Sequence, residues 1–99
     1  MATLWIREYA QLAEAGDGDP MPLAREPGYN QPALTFSAST ASAAFRRDTR
    51  YIAIYGSAAF HYEVGATPTA VTTASMKVPA DTLLYLGVEP GQKIAAVAA

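Results

Sequence analysis

His61 and Glu63 stand two residues apart in Phe60-His61-Tyr62-Glu63-Val64, the spacing that puts two side chains on one face of a strand. An imidazole and a carboxylate so placed are two ligands for a divalent cation. A zinc site takes three or four protein ligands, and the chain has no second histidine and no cysteine. The pair therefore reads as a solvent-facing or interface pair, and no metal is expected. Ser57 lies in Tyr55-Gly56-Ser57-Ala58-Ala59, which is not the Gly-x-Ser-x-Gly elbow of a hydrolase, and His61 is its only candidate base. Asp17-Gly18-Asp19 has the opening of a calcium loop, but Pro20 follows and no glutamate stands at the later position such a loop requires. Glycine spacing fits neither a P-loop nor a dinucleotide fold. These residues predict a protein that is not an enzyme and that carries no cofactor.

Binding is the chemistry left. Arg46-Arg47-Asp48-Thr49-Arg50 is the densest charge cluster. Nucleic acid calls for a broader basic face with interleaved aromatics, so the cluster suits a solvated turn or a contact to an acidic partner, where arginine is the better residue. Phe45 and Tyr51 beside it are expected to face the core. Trp5, Tyr9 and Tyr29 either pack inward or anchor a protein contact, since Trp and Tyr are enriched at interfaces. Trp5, Arg7, Tyr9, Met21, Leu23, Tyr29, Arg46 and Arg47 are the expected protein-interface residues.

The elements that must position them are strands. Residues 3–9 (Thr-Leu-Trp-Ile-Arg-Glu-Tyr) are rich in β-formers, with Leu4 and Ile6 on one face and Trp5, Arg7 and Tyr9 on the other. A short helical turn fits 10–15. Residues 16–32 hold four prolines and three glycines. Proline removes amide donors and fixes φ, so this stretch predicts no regular ladder. Its length suits an extended arm anchored by Met21, Leu23 and Tyr29. Further strands are expected at Ala33–Ser37, Arg50–Gly56, Ala59–Val64, Ala70–Val78 (Met76 and Val78 inward), Leu83–Val88 and Lys93–Ala98. Gly56-Ser57 would join two of them as a tight hairpin or bulge. Val78-Pro79-Ala80-Asp81 suits a type I turn and Glu89-Pro90-Gly91-Gln92 a type II turn. The prediction is an all-β, small antiparallel β-sandwich or barrel of about seven strands. Residues 1–32 would form an N-terminal strand and Pro/Gly-rich arm, and 33–99 the sandwich core, within one domain.

Composition agrees. Ninety-nine residues fit one domain. A net charge of −2 gives no electrostatic footprint for nucleic acid. The lack of cysteine excludes a disulfide framework. No apolar run reaches the roughly 20 residues of a spanning helix, and Arg7 and Glu8 interrupt any signal-peptide pattern. Neither membrane nor nucleic acid is an expected partner, and the chain is expected to be intracellular when made.

Several phrases also line up along the chain: Trp5-Ile6-Arg7-Glu8-Tyr9, Thr49-Arg50-Tyr51-Ile52, Phe60-His61-Tyr62-Glu63-Val64-Gly65, Ala66-Thr67-Pro68-Thr69-Ala70, Val78-Pro79-Ala80-Asp81 and Leu86-Gly87-Val88-Glu89-Pro90-Gly91-Gln92-Lys93-Ile94-Ala95. Together they resemble a family of short phage and prophage virion proteins encoded among head genes. The resemblance implies a β-sandwich that decorates or cements a capsid, and it carries over no catalytic residue. Its implied partners are the major capsid protein and neighbouring copies of the chain, often as trimers, and its implied location is the capsid surface. A head–tail connector or tail component, and a carbohydrate-binding module on a virion fibre using Tyr55 or Tyr62, are the alternatives.

Overall fold

Side-chain alternation splits the strands into two faces, and burying both inner faces requires two sheets. The computed structural model describes residues 2–14, 20–24 and 26–99. Its strands are β1 (Ala2–Tyr9), β2 (Leu12–Glu14), β3 (Pro20–Ala24), β4 (Tyr29–Asn30), β5 (Leu34–Phe36) and β6 (Thr40–Ala41). They continue with β7 (Tyr51–Gly56), β8 (Phe60–Gly65), β9 (Met76–Val78), β10 (Leu83–Gly87) and β11 (Lys93–Ala98). The larger sheet runs β10-β7-β1, with β4 and β5 both on the far edge of β1; the smaller runs β6-β11-β8-β9. Every pairing among the described residues is antiparallel. The fold is thus a small all-β sandwich, with nine strands among the described residues in its two sheets where about seven were expected.

Between the sheets, Leu4 and Ile6 of β1 and Ile52 and Ile54 of β7 meet Phe60, Val78, Ile94 and Ala96 of the smaller sheet. Phe36 and Phe60 meet edge-on, with centroids 5.8 Å apart. Each large side chain buried here contributes about 2 kcal/mol. Phe45 and Val88 close the end of the core. Phe45 N donates to Gln92 O, and Gly91 N donates to Phe45 O. Gly91 has φ +81°, the left-handed conformation that the third position of a type II turn requires.

Five expectations are corrected. First, β1 is not part of an arm. It pairs with β7 on one side and with β4 and β5 on the other, because its inner face is apolar enough to sit at the centre of a sheet. The segment outside both sheets is shorter: β2 and β3 pair only with each other. Second, Leu12–Glu14 is a strand, not a helical turn. Its partner β3 contains Pro20 and Pro22, which a two-stranded ribbon tolerates because both of its strands are edges.

Third, Gly56-Ser57 makes no hairpin. β7 and β8 belong to different sheets, and the chain crosses between them here. A Cβ on Gly56 would come 2.6 Å from the Phe60 ring, so only glycine lets the crossing run this close to the core. Fourth, Ala70–Ser75 is not strand; the ladder begins at Met76. Met76 shares the inward parity of Val78, yet it is 66% exposed because β9 is a three-residue edge that overhangs the core. Fifth, Tyr51 faces outward, where its ring stacks on Tyr9 at 5.2 Å. The expected turn at Val78–Asp81 ends with Asp81 in left-handed backbone (φ 57°), its N–H donated to Gly56 O.

Candidate functional site

The outer face of the larger sheet is built in rows. Register places Leu83, Tyr55 and Trp5 side by side on β10, β7 and β1, and Tyr85, Ala53, Arg7 and Asn30 in the next row. Ala53, the smallest of these, stands between larger neighbours. A trough of about 440 Å³ results, walled by Trp5, Tyr55, Leu83 and Tyr85. Trp5 is 48% exposed, Leu83 56% and Tyr85 54%. Trp5 and Tyr55 lie 5.9 Å apart at a 52° tilt. Tyr55 OH donates to Asp81 Oδ1 at 2.9 Å, and that hydrogen bond, more than burial, pushes the phenol's pKa up.

One end of the trough is polar and already satisfied. Arg7 Nη2 meets Glu26 Oε1 at 2.6 Å and Arg7 Nη1 donates to Asn30 Oδ1 at 2.7 Å. Tyr9 OH and Gly28 N donate to the same Glu26 carboxylate. The Arg7 hydrogen bond, followed by that of Tyr9, holds the Glu26 carboxyl below the usual range. Burial, then Glu26, raises the Tyr9 phenol. A Cβ on Gly28 would come 2.8 Å from the Tyr9 ring and 2.9 Å from Glu8 O, so this corner lies flat on β1. Its charge is cancelled internally, and the face as a whole offers rings rather than ions.

Of the expected interface residues, Trp5, Arg7 and Tyr9 share this face. Tyr29 and Arg46 are brought together elsewhere: the guanidinium lies 4.5 Å over the Tyr29 ring, beside a hollow of about 260 Å³. Arg47 is exposed in the turn at 47–48 and joins neither group. Met21 and Leu23 fall on β3, and their side chains lie outside the described residues, as does Asp17-Gly18-Asp19. Sequence reasoning missed Tyr85 and Leu83. Their signal was the alternation with Leu84 and Leu86, which puts two apolar residues on each face of β10. Tyr55 and Tyr62, the alternative residues for a glycan contact, fall on different sheets, Tyr55 on the outer face of the larger and Tyr62 on the smaller.

The interior holds a second missed residue. Glu8 follows Leu4 and Ile6 on the inner face of β1 and is 2% exposed. Glu8 Oε1 accepts from Arg46 N (2.8 Å) and Thr49 Oγ1 (2.6 Å), and Glu8 Oε2 from Gln31 Nε2 (3.0 Å). It is a structural clamp, satisfied by three donors as a buried carboxylate must be. His61 and Glu63 are likewise tied locally. His61 Nδ1 donates to Ser75 O at 2.9 Å and Ser75 Oγ donates to Glu63 Oε2 at 2.8 Å. Among the described residues no group of three or more His, Cys, Asp or Glu could hold a metal ion.

Compared with known proteins, the chain matches no family model, no curated protein and no solved structure.

Proposed function

We propose that this chain is a structural virion protein that docks through the outer face of its larger sheet onto the major capsid protein of a phage head, and so decorates or cements it. The observation that carries this reading is the half-exposed set Trp5, Leu83 and Tyr85 around a trough floored by Ala53. An uncovered apolar face of this kind is the usual mark of a protein contact, and Trp and Tyr anchors dominate binding energy where they fill pockets. The partner comes from the family resemblance. A capsid repeats one surface many times, so modest contacts per copy add through multivalency.

The test is co-sedimentation of the purified chain with heads of the phage or prophage that encodes it. Trp5→Ala is expected to lower occupancy about tenfold or more and leave the melting curve nearly unchanged. Met76→Ala, exposed on the other sheet, should bind like wild type. Saturation at hundreds of copies per head supports decoration. Saturation at roughly six or twelve copies transfers the chain to a connector or tail, and binding to a glycan array lost in Trp5→Ala transfers it to a sugar-binding module.

A further inference from the structure

The larger sheet ends at β10, and that edge is unfinished. Val88 N donates to Arg50 O, which fixes the alternation of the β7–β10 ladder. Leu84 and Leu86 exchange their hydrogen bonds with Ile54 and Ile52, so the N–H and C=O groups of Leu83, Tyr85 and Gly87 point away from the sheet. Among the described residues nothing receives them. Leu84 and Leu86 point at the core yet are only partly buried, because among the described residues no strand stands beyond them to cover their flank.

Sheet edges are normally guarded by charge, proline, bulges or brevity. The other edges here comply. β4 and β6 have two residues each, β5 and β9 three. Pro32 precedes β5, Lys77 lies on β9 and Pro79 follows it. β10, Leu-Leu-Tyr-Leu-Gly, has five residues, no charge and no proline.

We propose that β10 pairs antiparallel with β10 of a second copy about a two-fold axis at Tyr85. In that register Tyr85 and Tyr85 of the second copy exchange both of their outward hydrogen bonds. Leu83 falls opposite Gly87 of the second copy, and Gly87 opposite Leu83 of the second copy. The match is self-complementary in shape: nothing lies within 4 Å of where a Cβ on Gly87 would stand, which leaves room for the exposed Leu83 side chain. The two tyrosines become a cross-strand aromatic pair, and Leu84 and Leu86 gain the cover they lack. A two-fold contact closes on itself, whereas the short opposite edge could not continue a head-to-tail chain. The edge shares the Leu83 and Tyr85 side chains with the docking face, but the pairing rests on outward backbone groups of β10 and does not depend on what that face binds. It replaces the trimer implied by the resemblance with a dimer whose docking faces lie side by side on one continuous sheet.

Sedimentation of the intact chain and amide hydrogen exchange test this. Wild type is expected to sediment at twice the 10.5 kDa chain mass. The amides of Leu83, Tyr85 and Gly87 should exchange about a hundredfold more slowly than in a monomeric variant. Leu83→Lys places charge on the edge, and Tyr85→Pro removes an N–H that β7 does not use; both should be monomers with the wild-type circular dichroism spectrum. Should Tyr85→Pro fail to fold, Leu83→Lys and the wild-type exchange pattern still decide. A wild type that stays monomeric to about 500 µM, a trimer, or a dimer whose Tyr85 amide exchanges freely would each overturn the pairing. None of those results bears on head binding by Trp5.

Discussion

Glu8 occupies the place where the alternation Leu4, Ile6 calls for a third aliphatic side chain. A carboxylate there is tolerable only because Thr49, Gln31 and the Arg46 amide converge on it. Glu8→Ala strands these buried donors and should cost about 3 kcal/mol in urea unfolding. Glu8→Gln keeps the shape and some of the hydrogen bonds and should cost about 1 kcal/mol. Glu26 is the exposed counterpart. Its folded pKa is depressed, chiefly by Arg7, so its contribution is complete above the ordinary glutamate range and fades as pH falls through the lowered value. Acid titration followed by NMR should therefore release the Gly28 and Asn30 amides while Ile52 and Ile54 keep their protection. Glu26→Gln should abolish that acid transition. Neither role was legible in the sequence. One depends on a loop some forty residues away in the chain folding back over the strand, and the other on a corner that packs on β1 from the far side of the ribbon.

Among the elements, those with strict alternation were readable: β1, β7, β8, β10 and β11 each lie within a residue or two of where the pattern puts them. Proline misled in the opposite direction at β3. Its missing amides rule out a central strand but not an edge, and a ribbon has nothing but edges. The threonine-rich stretch before β9 has strand propensity, yet Ser75 N donates to Val71 O and Ser75 Oγ receives the Val71 amide, a local turn that competes successfully with the ladder. Because β2 and β3 join neither sheet, replacing residues 12–24 by a short Gly-Ser linker should leave the free energy of urea unfolding within about 0.5 kcal/mol of wild type. If head binding falls in that variant, the ribbon is a second point of attachment.

At the scale of the whole molecule, the two-sheet architecture was legible but the assignment of strands to sheets was not. Gly56-Ser57 fits a hairpin as well as it fits a crossing, and the choice falls to the long-range match of Phe60 with Phe36 and of β8 with β11. The face that carries the proposed function was half legible: Trp5, Arg7 and Tyr9 followed from one strand's alternation, whereas Tyr55, Leu83 and Tyr85 join them only through pairing across β7. The Glu8 clamp has a consequence for inheritance. Positions 8, 31 and 49 sit on three separate stretches and answer to one carboxylate, so a substitution at any of them is harmful until the others have changed as well. Lineages descending from this chain would drift freely over most of the surface while these three positions mutate as a set or not at all.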